Sequence, residues 1–168
     1  MPSKKRAKKT SKPTVARPHM PGYGIPESKK GLLSWKWAKQ RLEKAHNYVI
    51  STVRPNGSPH TMVVWGLWLD GAFFFSTGKK SRKGRNLAEN PRCTVATDNA
   101  AEAVIIEGEA SLNNDSALHR TFSKKYQQKY KWDMRDFKEP VYEVRPRVAF
   151  GLYEKKFQNS ATRWTFAS

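Results

Sequence analysis

The hydrophobic period of the chain changes twice. From Trp35, apolar residues recur at Ala38, Leu42 and Ala45, one face of a helix, with Lys36, Lys39, Gln40, Glu43 and Lys44 on the remaining faces and Ser34 placed as its N-cap. From Tyr48 the period becomes two. Tyr48–Arg54, His60–Leu69 and Ala72–Thr77 read as strands joined by Asn56-Gly57 and Asp70-Gly71, dipeptides that accept the positive φ of tight hairpins. The middle strand is apolar on both faces, which predicts a barrel wall that also meets a partner subunit.

A short helix follows from about Ser81 to Glu89, stopped by Asn90-Pro91, because a proline disfavours helical backbone in the residue before it. Arg92–Thr97 and Val104–Leu112 read as two more strands. Asp115–Tyr130 is a longer helix whose Leu118, Phe122, Tyr126 and Tyr130 form a stripe suited to core packing. Val141–Arg145, Val148–Tyr153 and Thr162–Phe166 read as extended, set apart by Pro146 and the polar run Lys155–Ser160. The tally is six to eight short antiparallel strands with flanking helices and no βαβ alternation, so the expected class is mainly β. Residues 1–28 lack any period and carry five prolines. They are expected to be a disordered basic arm ahead of a single domain at 29–168.

Composition adds a strong charge to this picture. The 168 residues carry a formal +18, of which seven charges fall in residues 1–18, leaving +11 on the rest. Such a field favours nucleic acid, acidic lipid or phosphorylated small molecules as partners. The single cysteine, Cys93, excludes an internal disulfide and reads as a small buried strand residue. No apolar run is long enough to cross a membrane and no signal-peptide core is present, so the expected location is cytoplasmic. His19, His46, His60 and His119 have no metal-ligand spacing, and neither a nucleophile elbow nor a Gly-rich P-loop occurs. No metal is expected, and difficult chemistry would need an imported cofactor.

One segment concentrates the charge. Ser76 and Thr77 end a strand, Gly78 turns the backbone, and Lys79, Lys80, Arg82, Lys83 and Arg85 surround a helix start at Ser81. Free N–H groups and the positive end of a helix dipole favour a phosphate there, and Arg and Lys add charge-assisted contacts. A solvated charged loop would have the same composition. Near the C-terminus, Arg163 adjoins Trp164, a pair that could flank a planar ring, anchor an interface, or belong to a core strand.

Taken in order, YVISTVRPNGSPHTMVVWGLWLDGAFFFSTG, KKSRKGRNLAENPRCTVAT, AVIIEGEASL, VYEVRPRVAFGLYE and ATRWTF resemble the pyridoxamine 5′-phosphate oxidase-like split-barrel flavoproteins, and within them the flavin/deazaflavin oxidoreductase branch. The resemblance runs from about residue 32 to 168. It implies a six-stranded antiparallel split β-barrel that forms a homodimer, with cofactor at the subunit interface. It implies a phosphate seat at Ser76, Thr77, Arg82 and Lys83, supported by Lys79, Lys80 and Arg85. It places the backbone of His60, Thr61, Met62, Val63 and Val64 along the cofactor ring, and Arg163 and Trp164 near the cofactor of the other subunit. The cofactor it implies is F-420 or FMN, with haem in some members, and the surplus of cations favours the acidic tail of F-420.

The implied activity is hydride transfer between the cofactor and a small planar organic substrate, with no acid or base residue assigned. Two departures count against oxidation of pyridoxamine phosphate itself. Val64-Trp65-Gly66 stands where those oxidases place a lysine, and their Arg-x-His loop has no counterpart. Two other readings stay open: a non-catalytic cofactor binder, and a nucleic-acid-associated protein whose aromatics Phe122, Tyr126, Tyr130, Trp132 and Phe137 would stack on bases. Nucleic acid would otherwise meet only the basic arm.

Overall fold

Both predicted hairpin turns form. Gly57 has φ +83°, and Asp70 and Gly71 have φ +48° and +83°, left-handed values that glycine adopts without penalty and aspartate tolerates. The structure is a computed structural model and describes residues 12–167. In chain order the elements are β1 (Thr14–Ala16), α1 (Trp35–Lys44), β2 (Tyr48–Val53), β3 (Pro59–Val64), β4 (Gly66–Leu69), β5 (Ala72–Ser76), α2 (Arg82–Glu89), β6 (Arg92–Thr97), β7 (Glu102–Asn113), α3 (Ser116–Tyr130), β8 (Val141–Tyr153), α4 (Phe157–Ser160) and β9 (Thr162–Thr165).

Nine strands, rather than the expected six, form one antiparallel sheet in the order β1-β9-β8-β7-β6-β2-β3, with β5 on β8 and β4 on β5. The architecture is mainly β with flanking helices. Two features raise the count. The predicted strand His60–Leu69 breaks at Trp65 into β3, which pairs with β2, and β4, which pairs with β5. The chain also adds β1, which pairs with β9.

β8 is continuous through Pro146, although the proline had suggested two strands. Pro146 sits opposite Gly108 where the β7–β8 register shifts. A bulge tolerates a residue with no N–H to donate. Before the bulge, Val141–Val144 pair with β5; beyond it, Val148–Gly151 pair with β9. One strand thus serves two parts of the sheet, and the barrel divides at that point.

Two apolar clusters hold the fold. The larger joins Ala38 and Leu42 of α1 to Tyr48, Ile50, Phe73, Phe75, Val95, Val104, Ile106, Val144 and Trp164. The smaller packs Leu67 and Phe74 against Phe122, Tyr130 and Met134. The period of two along β5 sends Phe73 and Phe75 into the first cluster and Phe74 into the second. The second apolar face of β4 is therefore covered by the chain's own α3. The same packing removes Phe122 and Tyr130 from any base-stacking surface, since they are 0% and 8% exposed.

Part of the basic arm, which was expected to become ordered near Tyr23–Ile25, is described from residue 12 onward. Arg17 makes five hydrogen bonds to four backbone carbonyls: those of Ser28, Lys30, Asn159 and Ala161, at 2.7–3.2 Å. These bonds, with the β1–β9 ladder, tie residues 14–17 to the barrel. Residues 1–11 of the expected arm lie outside the described residues. Among the described residues no helix is long and apolar enough to cross a membrane.

Candidate cofactor site

The basic segment is set by its caps and by one close approach. The Ser81 hydroxyl accepts from Gly84 N at 3.0 Å and pairs with the Thr77 hydroxyl at 3.0 Å. α2 therefore starts directly behind the end of β5. A Cβ at Gly84 would stand 3.0 Å from the Lys79 carbonyl oxygen and closer still to that of Gly78, so only glycine lets the helix lie this near the turn. At the far end of α2 the wholly buried Asn86 donates to the Thr52 hydroxyl at 2.9 Å. This bond fixes the helix to β2, and the Asn86 side-chain Oδ1 is left without a partner.

The result is a cleft of about 320 Å³ lined by Val63, Val64, Trp65, Ser76, Lys83 and Tyr126. The two stretches expected to share a site, β3 and the β5–α2 junction, do converge. The first-turn N–H groups of Arg82 and Lys83 have no partner within the helix. Burial holds the Lys83 amine below the usual lysine range, because its charge is partly desolvated. His60 lies near the same cations: Arg54 Nη2 donates to His60 Nδ1 at 3.3 Å. Burial, then the charges of Arg54, Lys83 and Arg82, hold the imidazole below its ordinary value. Three cations thus act on His60, and an anion placed beside them would offset that field.

The other expected residues divide. Thr61 and Met62 are exposed along β3, with Thr61 bonded to the Ser51 hydroxyl at 2.8 Å. The Ser76 hydroxyl donates to the Pro140 carbonyl at 2.7 Å, and Thr77 is buried with its hydroxyl on Ser81. Lys79 and Lys80 are exposed and line no part of the cleft. The Trp164 ring is 0% exposed and packs edge-on against Trp35 at 5.3 Å, so within the protomer it presents no ring face to a ligand. Arg163 is half-buried, and its Nη1 donates to the Thr165 hydroxyl at 2.8 Å.

Sequence reasoning missed Arg54, Trp65 and Tyr126 as parts of the site. Tyr126 belongs to the helical stripe read as core, yet α3 turns its edge towards the cleft. Trp65 stacks on Tyr130 at 4.6 Å with planes 6° apart, and Tyr130 in turn holds the break between β3 and β4. Its hydroxyl accepts from Gly66 N at 2.9 Å and lies 2.8 Å from the Gly66 and His46 carbonyls. Lys129 donates to the Gly66 carbonyl at 3.2 Å and to the Tyr48 hydroxyl at 2.9 Å. Burial draws this amine down to about 8.

A divided antiparallel barrel with a basic helix start near an edge strand defines a split-barrel protein. The family model described as pyridoxamine 5′-phosphate oxidase matches residues 35–153, and the chain belongs to that family, a family of oxidoreductases. It is 36% identical over 66 residues to the pyridoxine/pyridoxamine 5′-phosphate oxidase of Bacteroides thetaiotaomicron, a stretch covering 36% of this chain and 31% of that protein. The match thus spans about a third of that relative's length. Among solved structures the chain is similar to the conserved hypothetical protein Rv2991 of Mycobacterium tuberculosis, with TM-score 0.66, 19% identity, and coverage of 74% of this chain and 87% of that one. It is also similar to an F-420 reductase, with TM-score 0.54, 21% identity and coverage of 66% and 94%. At these identities the structural matches speak to the fold alone.

Proposed function

We propose that the protein is an oxidoreductase whose β3–α2 cleft seats the phosphate end of F-420 or FMN, and that a hydride passes between that cofactor and a small planar organic substrate. The observation that carries this reading is the convergence of Val63, Val64, Ser76 and Lys83 on one cleft. The donor set fits a phosphate monoester: unpartnered first-turn N–H groups, a desolvated ammonium and a nearby guanidinium. The bound cofactor would supply the two-electron chemistry. The chain's own residues would bind and orient it. Arg82 and Lys83 would hold the anion, the β3 backbone would lie against the ring, and Trp65 and Tyr126 would close one end of the cleft against water.

F-420 is preferred over FMN because Lys79, Lys80 and Arg85 are exposed beside the seat, where an acidic tail would meet them. The name of the F-420 reductase among the similar structures agrees with that preference, while that of the curated oxidase relative supports an oxidoreductase reading for either cofactor. A homodimer with the site at its interface is part of the proposal. β3 has a strand neighbour on one side only, and its Met62 and Val63 are 46% and 63% exposed, an edge that a second protomer would cover. Titration of the purified protein with F-420 and with FMN, followed by fluorescence and ultrafiltration, tests the reading. Binding of F-420 at on the order of 10 µM or tighter is expected; failure to bind either cofactor at ten times that concentration would sink it.

A further inference from the structure

A second cleft, of about 860 Å³, opens between β1, the start of α1 and the turn at Arg145-Pro146. It shares no residue with the cofactor cleft. Half of its lining lies outside the family-matched segment 35–153: Lys12, Pro13, Val15, Ser34, Phe166 and Ala167. The other half comes from the start of α1 and the turns at Gly71 and Pro146, so the cleft joins the two chain ends to the matched segment.

Its walls have two chemistries. The floor is apolar: the half-buried Trp35 meets Phe166 edge-on at 4.9 Å, and Val15, on the exposed strand β1, is 37% exposed. The rim is cationic, with Lys12, Lys36, Lys39 and Arg145 and no acidic residue in the lining. Lys39 reaches Glu43 at 3.8 Å with both side chains half exposed, and Arg145 pairs with Glu143. Lys12 and Lys36 have no ion-pair partner among the described residues. An apolar floor of this size rewards a hydrocarbon body, and the unpaired Lys12 and Lys36 on the rim select an anionic head. The aliphatic stems of the lysines extend the apolar wall while their ammonium groups stay in water.

We infer that this cleft is a binding site for an amphiphilic organic anion, a fatty carboxylate, separate from the cofactor seat. Laurate is the probe, with dodecylammonium as the same hydrocarbon carrying the opposite charge. Isothermal titration of the full-length protein is expected to show saturable laurate binding at on the order of 10 to 100 µM and at least tenfold weaker binding of dodecylammonium. The double variant Lys36→Glu, Lys39→Glu changes exposed side chains only, so its circular dichroism and melting should match the parent while laurate binding falls at least tenfold. Equal binding of the two probes, or unchanged binding by the variant, would overturn the site. So would laurate binding that is abolished by loss of Arg82 and Lys83, because the ligand would then occupy the cofactor seat. Binding to anionic vesicles without binding of free laurate would overturn it in favour of a membrane-facing surface. These readouts use no cofactor, and failure of either proposal leaves the other standing.

Discussion

Arg17 and Lys83 both come from basic stretches with few apolar neighbours, and the fold uses them in opposite ways. Arg17 turns its guanidinium inward onto the carbonyls of Ser28, Lys30, Asn159 and Ala161. Its charge is absorbed by the protein's own backbone. Lys83 is carried by α2 to the mouth of a cleft, where burial depresses its amine and no carboxylate among the described residues pairs with it. A planar fork with five donors suits a cluster of fixed carbonyls, and a compact ammonium beside a helix start suits an incoming anion. A basic run in a sequence is thus not one signal. What decides its use is whether the surrounding backbone already supplies acceptors.

The largest effect expected is on ligand affinity. Replacing Arg82 and Lys83 together by alanine should weaken cofactor binding about 100-fold, or about 2.7 kcal/mol, with melting unchanged because neither side chain holds a tertiary contact in the core. Fluorescence titration reads it, and parent-like affinity would remove α2 from the site. Next comes Asn86→Ala. Loss of the bond to Thr52 in a wholly buried position should cost about 2 kcal/mol of stability in urea unfolding, and cofactor binding should weaken only as far as α2 shifts.

Arg17→Ala should reverse the pattern of the double variant. Stability should fall by about 1 kcal/mol, since most of the freed carbonyls can turn to water, while cofactor affinity stays at the parent value. Similar losses of affinity in Arg17→Ala and in the α2 variant would erase the contrast drawn above.

The smallest effect belongs to Lys129. Its folded-state value of about 8 lies below the ordinary 10.5, so between those values the unfolded chain binds the extra proton. Stability should therefore rise as pH increases from 8 towards 10.5. Tyr48 and Tyr130, both raised by burial, oppose this above about pH 10, so the window to measure is pH 8 to 10. After discounting for the solvent that still reaches the amine, the gain relative to Lys129→Met is on the order of 1 kcal/mol or less. A flat difference between the two proteins across that window would mean that the amine is not desolvated.

Much of this protein follows from local rules. The Ser34 and Ser81 caps, the Asn56-Gly57 and Asp70-Gly71 turns, the α1 stripe and the alternation along β2 and β5 each rest on contacts within a few residues, and each formed as expected. The junction proposed as the anion seat was legible for the same reason: a strand end, a glycine and a capped basic helix are consecutive in the chain.

The rest was settled by packing between distant segments. Whether Trp164 faces a ligand or the core depends on Trp35, more than a hundred residues away, and the core won because the indole buries completely against it. The break at Trp65 depends on the Tyr130 hydroxyl reaching Gly66 from α3. The place of β1 depends on its ladder with β9 and on carbonyls near residue 160 that Arg17 gathers. Sequence by itself determined where elements start, turn and carry charge, because those choices are made by neighbouring dihedrals and caps. Which charges and rings remain available to a ligand was decided only by the tertiary structure, because availability depends on what else has packed against them.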